Sequence, residues 1–591
     1  MTNLDEKLAR RQRAIEGKPF GPGSATEHEG KTMSGAQAII ASLEAEGVDT
    51  IFGYPGGQAI KIYDALYDSK KIRHVLARHE QGATHMADGY ARATGKVGVV
   101  LVTSGPGATN TVTGIATAFM DSVPLVVITG QVTRGVIGTD AFQESDIVGI
   151  TMPVVKHSFL LQSCDDLTRT FREAFYIAST GRPGPVLIDI PSDLSGSQMV
   201  FHYPDSISIP SYKPTYKGNA KQVRQAANLI ESAKRPLIYA GGGIVSSHAC
   251  AELTQLAEHM RIPVVTSLMG KGAMRCSNPL NLGPVGMHGS KYANMAVTEC
   301  DLLIAVGARF SDRVTGKVSE FAPHAKIIHI DIDSAELGKN LPVELPIHAD
   351  AGEALEAMKS GIRHKDRSAW IDVAKGCDRR EYEEVVRPSS DPQGRFISMY
   401  DAISTLAEVE KGDAVIVTDV GQNQMFSARY SKFNSTRSFI TSGGLGTMGF
   451  GLPAALGAKL GVPDREVVCV MGDGGFQMTM QELGTIMQNR IGVKMIVLNN
   501  SYLGMVRQWQ QLFFGKRYSF THIESPDLTL IAAAYGIPNR RVTEPGQLRE
   551  AIEELAAAPG AYLLEVAVLP EENVFPMVPA GASLSDIICT D

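Results

Sequence analysis

The stretch "EVVCVMGDGGFQMTMQELGTIMQNRIGVKMIVLNN", residues 466–500, has the pattern of a strand, a loop, a helix and a second strand. The apolar runs "EVVCVM" and "VKMIVL" have the length of buried strands, and "QMTMQELGTIMQNR" between them has the spacing of an amphipathic helix. A connection of this kind joins parallel strands. If the two strands are neighbours, the helix brings Asp473 and Asn500, which follow them, to one edge of a sheet.

The same alternation of short apolar runs and amphipathic stretches continues from Met33 onwards, for example in "VGVVLVTSG" and "PLVVITG". Because such runs are apolar on both faces, they predict mostly parallel sheets covered by helices, the α/β class. A length of 591 residues is enough for about three doubly wound domains. The stretches "YPDSISIPSYKPTYKG" and "RPSSDPQG" have the composition of linkers. The predicted segments are a mobile N-terminal arm at 1–32, domains at 33–197, 218–362 and 393–570, and a C-terminal tail at 571–591.

The composition excludes several classes of protein. A net charge of -7 leaves no basic excess for binding a nucleic acid. The 7 cysteines are scattered and contain no C-x-x-C pair, so they predict neither a disulfide framework nor a zinc ribbon. No apolar run approaches the roughly 18 residues of a membrane span, and the N-terminal segment lacks the apolar core of a secretory signal. We therefore expect a cytoplasmic protein with no nucleic-acid or membrane partner.

Asp473 lies in "GDGGF", directly after the first of the two strands. Carboxylate and amide oxygens, without histidine or cysteine, suit Mg²⁺, and glycines let the backbone approach a phosphate. The G-x-G-x-x-G dinucleotide motif fails because Gln477 stands at its last glycine position, and "GKT" at 30–32 fails as a P-loop because residue 25 is Ala. For "GDG" alone, an ordinary tight turn from strand to helix is an equally good interpretation.

The order "GDG", 24 further residues and "NN" resembles the diphosphate signature of thiamine diphosphate enzymes. The resemblance implies that Asp473, Asn500 and the backbone carbonyl of Tyr502 bind Mg²⁺. It also implies that Glu80, in "RHEQGATHMADGYAR", activates the aminopyrimidine ring of the cofactor. For that motif alone, a solvated glutamate at a helix start is the simpler interpretation. In this family the two sites come from different subunits, which implies a homodimer or a dimer of dimers.

Further stretches narrow the resemblance to the acetohydroxyacid synthase family, also called acetolactate synthase. They include "FGYPGG", "TSGPGATN", "GTDAFQE", "GRPGPVLIDIP", "GGLGTMGFGLPAA" and "MVRQW", in the family's order. The resemblance implies a catalytic large subunit with pyrimidine-binding, FAD-binding and diphosphate-binding domains in that order. Such an enzyme decarboxylates pyruvate on thiamine diphosphate and transfers the resulting hydroxyethyl carbanion to pyruvate or 2-ketobutyrate, the first common step of valine, leucine and isoleucine synthesis. A separate small regulatory subunit is also implied.

The resemblance assigns roles to individual positions of this chain. The implied catalytic residues are Glu80, Gln143 and Lys156, and the implied substrate-channel residues are Phe142, Arg313 and Trp509, of which Trp509 would favour 2-ketobutyrate. The implied thiamine diphosphate contacts are Pro55, Gly56, Gly421, Gln422, Gly446, Met448, Gly472, Gly474 and Gly475. The implied FAD contacts are Arg182, Gly242, Gly243, Met269, Gly270, Met287, His288, Gly289, Gly307, Arg309, Asp331, Ile332 and Asp350.

Two positions of the sequence depart from the family pattern. Asn423 stands where many relatives have histidine; asparagine still donates a hydrogen bond but cannot take up a proton. Lys271 lies between the glycines of "MGKG", within the implied FAD contacts. FAD is not consumed in the family's net reaction, so its presence would not indicate an oxidase. Two alternatives stay open: a pyruvate oxidase-like enzyme that passes the same intermediate to oxygen or a quinone, and a non-catalytic homologue that keeps the fold as a binding or scaffold protein.

Overall fold

The structure, a computed structural model, describes residues 27–359, 361–376, 381, 383, 385 and 395–590. Most of the predicted N-terminal arm, residues 1–26, and the start of the predicted third domain, residues 393–394, lie outside the described residues. The chain separates into two compact units. The first unit comprises residues up to Pro214 together with Ser442–Asp464 and Thr479–Ile491, and the second comprises Thr215–Thr441, Arg465–Met478 and the residues from Gly492 onwards.

The first unit is built on a parallel six-stranded sheet. The strands of this unit, six in the sheet and two in a separate pair, are β1 (Thr32–Ser34), β2 (Thr50–Tyr54), β3 (Arg73–Leu76), β4 (Gly98–Val102), β5 (Leu125–Gln131), β6 (His157–Leu160), β7 (Pro185–Pro191) and β8 (Gln198–Val200). The sheet has the order β3-β2-β4-β5-β7-β6, and β1 pairs with β8 in a separate antiparallel pair. The central strands β4 and β5 are buried along their whole length, as expected of continuous apolar runs.

Helices connect these strands. The α-helices of the first unit are Gly35–Ala45, Ile60–Asp68, Glu80–Thr94, Pro106–Thr109, Val112–Met120, Ile147–Thr151, Leu167–Ser179, Ser192–Gly196, Gly451–Gly461 and Leu483–Asn489. Short 3-10 helices span Gly57–Ala59, Arg134–Val136, Met152–Val154, Cys164–Asp166 and Met480–Glu482.

The second unit contains two more parallel six-stranded sheets. The strands of the first of these are β9 (Pro236–Ala240), β10 (Val264–Thr266), β11 (Asn281–Pro284), β12 (Leu302–Val306), β13 (Lys326–Asp331) and β14 (Leu345–His348), in the order β11-β10-β9-β12-β13-β14. The strands of the other are β15 (Val415–Thr418), β16 (Phe439–Ile440), β17 (Val467–Gly472), β18 (Lys494–Asn499), β19 (Asn539–Val542) and β20 (Tyr562–Ala567), in the order β16-β15-β17-β18-β20-β19.

One of the helices that accompany these two sheets precedes β9, and the others lie between strands in sequence. The α-helices are Ala220–Ser232, Gly242–Ser246, Cys250–Met260, Lys291–Glu299, Asp312–Thr315, Ala351–Lys359, Ser368–Lys375, Met399–Val409, Gln422–Tyr430, Asp473–Thr479, Gly504–Phe513, Leu528–Ala534 and Leu548–Ala557. Two 3-10 helices span Val318–Glu320 and Pro545–Gln547.

The prediction of an α/β protein with three mostly parallel sheets is confirmed. The prediction that "GDGGF" is a loop is wrong, because a helix begins at Asp473 itself. The predicted helix over "QMTMQELGTIMQNR" is interrupted at Met480–Glu482. The interruption follows Thr479, whose backbone departs from helical geometry (φ −136°, ψ 18°) while its hydroxyl donates to the carbonyl of Gly449 at 3.0 Å.

In the first unit, helix Glu80–Thr94 crosses helix Gly451–Gly461 at very short range. A Cβ atom on Gly89 would lie 2.0 Å from the carbonyl oxygen of Ala454, and one on Gly457 would lie 1.8 Å from that of Met86. No side chain fits at these distances, so the crossing requires glycine on both helices. The crossing fixes the helix that begins at Glu80.

Three further properties of the described residues bear on the predictions. No helix among them is both long and apolar enough to cross a membrane. Their 6 cysteines form no disulfide with one another, and Cys377 lies outside the described residues. The predicted C-terminal tail is packed into the second unit, because Val574 and Met577 are fully buried.

Candidate functional site

Polar residues follow three neighbouring strands of the last sheet at its carboxyl edge. Strand β17 lies between β15 and β18, and Gly472 at the end of β17 pairs with Leu498 near the end of β18. Asp473 follows β17 directly, and Asn500 follows β18 directly. The predicted placement of Asp473 and Asn500 at one edge of a parallel sheet is confirmed.

The Asp473 carboxylate is buried and only partly hydrogen-bonded. Its Oδ2 accepts a hydrogen bond from the Ser525 hydroxyl at 3.0 Å. Its Oδ1 is buried and has no hydrogen-bond partner among the described residues. Burial raises the pKa of Asp473 to about 6, against the opposing effect of the Ser525 hydrogen bond. An unpaired carboxylate oxygen in a dry place is the kind of ligand that a hard divalent cation takes, so these residues fit Mg²⁺.

Gln422 connects the loops that follow β15 and β18. The Asn500 side-chain amide donates to Gln422 Oε1 at 3.2 Å, and Asn500 Oδ1 accepts from the backbone N–H of Tyr502 at 3.1 Å. The Gln422 amide in turn donates to Gln508 Oε1 at 3.2 Å and to the carbonyl of Glu572 at 2.6 Å. The two loops are therefore held in one hydrogen-bonded group.

Glycines keep this edge free of side chains. Gly421 has a positive φ of 121°, which side chains rarely allow. A Cβ atom would lie 3.7 Å from Asn423 Nδ2 if placed on Gly421, and 3.6 Å from it if placed on Gly472. A Cβ atom on Gly475 would lie 2.4 Å from Asp419 Oδ1. Asn423 Nδ2 also donates to the carbonyl of Val420 at 3.3 Å. The loops after β15 and β17 therefore meet at Asn423, the position that departs from the family pattern.

A segment near the C-terminus closes over the same group. Arg507 Nη2 donates to the carbonyl of Glu572 at 2.8 Å and to Asn573 Oδ1 at 2.7 Å. Gln508 Oε1 accepts from the backbone N–H of Val574 at 2.8 Å. Gln508 and the segment from Glu572 onwards were not predicted from the sequence, because their partners lie 65 or more residues away in the chain.

Glu80 lies at the corresponding edge of the sheet in the first unit. It begins helix Glu80–Thr94, after β3, and its Oε2 accepts from the Asn110 side-chain amide at 3.0 Å. A Cβ atom on Gly107 would lie 3.5 Å from Glu80 Oε1. The loop after β2 is close to the loop after β4, because a Cβ atom on Gly56, next to Pro55, would lie 2.5 Å from the Thr103 side chain. Asn110 was missed by the sequence analysis.

The start of the Glu80 helix is held by a second carboxylate, that of Glu482. Both Glu482 oxygens lie 3.1 Å from the backbone N–H of Arg78, and Thr485 Oγ1 donates to one of them at 2.6 Å. Burial raises the pKa of Glu482 to about 7. A Cβ atom on Gly82 would lie 2.3 Å from Glu482 Oε1, so a side chain there would displace the Glu482 carboxylate.

The other implied catalytic and channel residues of the first unit differ in their surroundings. Phe142 is 86% exposed, and Gln143 has a positive φ of 60° with its backbone against Gly105. The Lys156 ammonium donates to the carbonyls of Ile177 and Thr180 and to the Tyr212 hydroxyl. The hydrogen-bond acceptors of the Lys156 ammonium in these three bonds are therefore groups of the protein itself. Gly446 has a positive φ of 72°, and Met448 is half-buried.

The implied FAD residues of the second unit lie mostly at the carboxyl edge of the middle sheet. A Cβ atom on Gly242 would lie 3.0 Å from Met269 Cβ, one on Gly243 would lie 2.6 Å from Gly307 Cα, and one on Gly270 would lie 2.2 Å from the carbonyl oxygen of Ala240. The loops after β9, β10 and β12 are therefore packed so closely that glycine is needed.

The remaining implied FAD residues have mainly backbone partners. Asp331 Oδ1 accepts from the backbone N–H of Asp333, and Asp350 Oδ1 from that of Gly352, both at 2.9 Å. The carbonyl of Arg309 accepts a hydrogen bond from Asn340 Nδ2 at 2.9 Å. The carbonyl of Ile332 accepts one from His348 Nε2 at 3.0 Å. Burial lowers the pKa of His288 to about 3. A Cβ atom on the next residue, Gly289, would lie 2.7 Å from the backbone nitrogen of Gly286. Arg182, in the first unit, donates to the Ser122 hydroxyl at 2.9 Å.

The structure brings Arg313 and Trp509 together in the second unit. The Arg313 guanidinium lies over the indole ring at 5.7 Å from its centroid, and its Nη1 lies 3.9 Å from Met287 Sδ. Phe513 packs edge-on against the indole at 5.7 Å. An arginine beside an aromatic ring can bind a carboxylate and an adjoining apolar group.

A different group, Glu27, His28 and Glu44, is close enough to hold a metal ion. Lys71 Nζ lies 3.0 Å from Glu27 Oε1 and 3.1 Å from Glu44 Oε2. The lysine therefore already pairs with both carboxylates, and we interpret the group as an ion-pair cluster.

Comparisons with known proteins place the chain in a family. Models of the thiamine pyrophosphate enzyme N-terminal TPP binding domain, central domain and C-terminal TPP binding domain match residues 33–150, 223–358 and 419–566. The chain is 49% identical to a probable acetolactate synthase large subunit of Methanocaldococcus jannaschii, over 94% of this chain and 95% of that protein. The chain belongs to the acetolactate synthase family. It is also 48% identical to an acetolactate synthase of Mycobacterium bovis and 45% identical to an acetolactate synthase large subunit of Buchnera aphidicola, over 94% of this chain and 91% and 98% of those family members.

Glu572→Gln should flatten the pH dependence of stability. Burial raises the pKa of Glu572 from 4.5 to about 8, so the folded protein holds this proton more tightly than the unfolded chain does. The stabilising effect of the neutral carboxyl is fully present below the unfolded pKa of 4.5 and is lost as the pH rises through about 8. Thermal unfolding midpoints at about pH 6 and about pH 9 measure the effect: the midpoint should fall less for Glu572→Gln than for the wild type.

The matched control is Glu571→Gln, because Glu571 is the exposed neighbour of Glu572. Its midpoint should fall between the two pH values as much as that of the wild type. An equal fall in all three proteins would show that Glu572 does not titrate in this range.

Proposed function

We propose that this protein is the catalytic large subunit of an acetolactate synthase. The observation that carries the proposal is the meeting of Asp473, Asn500 and Gln422 at the carboxyl edge of three neighbouring strands, in a chain of this family. The reaction joins two 2-ketoacids with loss of CO₂. Two molecules of pyruvate give 2-acetolactate, and pyruvate with 2-ketobutyrate gives 2-aceto-2-hydroxybutyrate, which begins the synthesis of valine, leucine and isoleucine.

Thiamine diphosphate and Mg²⁺ are the proposed ligands of this edge. The side chains of Asp473 and Asn500 and the carbonyl of Tyr502 would ligate the cation, and the unpaired Asp473 Oδ1 supports this role. The residues that would surround the diphosphate are Gly421, Gln422, Gly472, Gly474 and Gly475. When bound, the cofactor supplies a nucleophilic carbon and an electron sink for decarboxylation.

Glu80 is the proposed proton-transfer residue, acting on the aminopyrimidine ring. The Asn110 amide donates to its Oε2, which stabilises the carboxylate and fixes its direction. Gly107 leaves the side of Oε1 without a side chain. A carboxylate can both accept and return a proton, which an amide cannot do.

FAD is the proposed ligand of the middle sheet, at the positions that the family resemblance assigns to it. The close packing of glycines after β9, β10 and β12 supports an extended ligand lying against backbone. The partly buried His288, which stays neutral because desolvation lowers its pKa to about 3, suits an uncharged contact. FAD would not be consumed in the net reaction.

The proposal includes the assembly and its location. Several relatives are named large subunits, which supports a separate small regulatory subunit. A homodimer or dimer of dimers and a cytoplasmic location are proposed by likeness to the family. Pyruvate and 2-ketobutyrate are the proposed substrates, with Arg313 binding a substrate carboxylate beside Trp509.

An assay with purified protein and pyruvate tests the function, with thiamine diphosphate, Mg²⁺ and FAD each omitted in turn. Acetolactate should form only when thiamine diphosphate and Mg²⁺ are present, and the flavin absorbance should not be bleached in proportion to product. Acetate or acetyl phosphate with stoichiometric flavin reduction would favour the pyruvate oxidase-like alternative, which the relatives do not favour. Failure to turn over any 2-ketoacid would favour a non-catalytic homologue.

Glu80→Gln should keep thiamine diphosphate binding but lose acetolactate formation by a factor on the order of 100 or more, because the amide cannot transfer a proton. Cofactor affinity, turnover and the exchange rate of the cofactor's reactive C–H in deuterated water measure the effect. Glu353→Gln is the control, because Glu353 is an exposed glutamate in the first turn of another helix. An unchanged exchange rate in Glu80→Gln would assign Glu80 to a helix-start role only.

Trp509→Leu should keep acetolactate formation but reduce the preference for 2-ketobutyrate over pyruvate. The two acceptors differ by one methylene, which in an apolar pocket is worth roughly 10- to 200-fold in selectivity. The measurement is the product ratio at equal acceptor concentrations. Phe514→Leu is the control, because Phe514 is exposed at the end of the same helix. A product ratio that is the same in both variants and the wild type would leave Trp509 with a packing role.

A further inference from the structure

A buried carboxylate holds the irregular segment of the first unit that precedes helix Gly451–Gly461. Asp121 Oδ2 accepts from the backbone N–H of Gly443 at 3.0 Å, and Oδ1 accepts from that of Gly444 at 2.7 Å. Two consecutive peptide N–H groups therefore bind one carboxylate. We call residues 442–450, which form no helix or strand, the clamped loop.

Asp121 is fixed in turn by Arg92. Arg92 Nη2 donates to Asp121 Oδ2 at 2.9 Å, and the same guanidinium is ion-paired with Asp88. The Asp88 and Asp121 side chains are both fully buried, and the guanidinium lies 5.4 Å from the centroid of the Phe450 ring. The two acids share one arginine, but among the described residues Asp88 hydrogen-bonds only to Arg92, whereas Asp121 reaches the clamped loop.

Two more contacts hold the clamped loop. The hydroxyls of Thr117 and Thr447 are 2.7 Å apart, and Ser442 Oγ accepts from the backbone N–H of Thr447 at 3.0 Å. A Cβ atom on Gly444 would lie 2.8 Å from Asp121 Oδ1 and 2.9 Å from Met120 Cβ. The approach of the loop to the carboxylate therefore requires glycine at 444.

We infer that Asp121 is a positioning residue for the aminopyrimidine half of bound thiamine diphosphate. The inference rests on the proposed function and on the family resemblance, which implies that Gly446 and Met448 of the clamped loop contact that half of the cofactor. Asp121 acts through the peptide N–H groups of Gly443 and Gly444. Because hydrogen bonds to a charged acceptor are strong, they order the loop before the ligand arrives, and the ligand then loses less binding energy to ordering it.

The test compares Asp121→Asn with Asp88→Asn in the full chain. Both changes remove one buried charge from the same ion-paired group, but only the first leaves an amide with a single acceptor facing two peptide N–H groups. Calorimetry measures the dissociation constants of two ligands in the presence of Mg²⁺: thiamine diphosphate, and inorganic pyrophosphate, which lacks the aminopyrimidine. Asp121→Asn should bind thiamine diphosphate about tenfold or more weakly than Asp88→Asn, with pyrophosphate affinity equal in the two variants.

Two outcomes overturn the inference, and a third overturns the proposed function. Equal thiamine diphosphate affinities in the two variants would show that Asp121 does not position the loop for the ligand. A loss of pyrophosphate affinity as large as that of thiamine diphosphate would show a general structural effect. If the wild-type protein does not bind thiamine diphosphate, the proposed function fails and the inference fails with it.

A second variant approaches the same contact from the loop and leaves all three charges in place. Gly444→Ala puts a methyl group against Asp121 Oδ1 and Met120, so it should lift the loop from the carboxylate. Gly135→Ala is its control, because a Cβ atom there meets nothing within 4 Å. Gly444→Ala should show the same selective loss of thiamine diphosphate affinity. Equal affinities in Gly444→Ala and Gly135→Ala would overturn the inference even if Asp121→Asn does not fold.

Discussion

The removal of water from the Asp473 carboxylate is the constraint on which the site of the second unit depends. Strand β17 is buried up to Met471, and Asp473, which follows the strand, is fully buried. Raising the pKa from 3.8 to about 6 corresponds to about 3 kcal/mol against the ionised form. Ser525 satisfies one oxygen, and the other is left without a protein partner among the described residues. A cation at that oxygen would offset this cost, and the neighbouring glycines leave space for the phosphates that such a cation brings.

Each of the three parallel sheets has a carboxyl edge, but the chemical groups at these edges differ. The chemistry therefore depends on the residues at the edge rather than on the fold. In the first unit a carboxylate with one amide partner, Glu80 with Asn110, lies at the edge. At the middle sheet the edge consists mainly of closely packed glycine backbone. At the last sheet Asp473, Asn500 and Gln422 supply oxygens and amides. The proposed proton-transfer group, the proposed FAD surface and the proposed cation site thus belong to three different sheets of one architecture.

The sequence was sufficient to predict features that depend on local pattern. Continuous apolar runs predicted the parallel strands, and the edge position of Asp473 and Asn500 followed from the strands alone. It was insufficient where partners are distant in the chain: Ser525 is 52 residues from Asp473, and Asn110 is 30 residues from Glu80. The helix start at Asp473 was also missed, because two glycines after the acid indicate a loop by propensity and packing overrides that preference.

The hydrogen bonds of Lys156 do not match the catalytic role that the family resemblance implies for it. The family pattern assigns it a catalytic role, yet its ammonium donates to the carbonyls of Ile177 and Thr180, at the end of helix Leu167–Ser179, and to the Tyr212 hydroxyl. A cation at a helix C-terminus is stabilised by the partial negative charge of the last carbonyls. To act on a substrate, the ammonium would have to give up these partners. The Thr180 carbonyl would keep the Tyr212 hydroxyl as a donor, but the Ile177 carbonyl would lose the Lys156 donor, at a cost of about 1–3 kcal/mol. Glu80 faces no such exchange, because Asn110 occupies only one of its oxygens. The hydrogen bonds of this chain therefore support the inherited role of Glu80 more directly than that of Lys156.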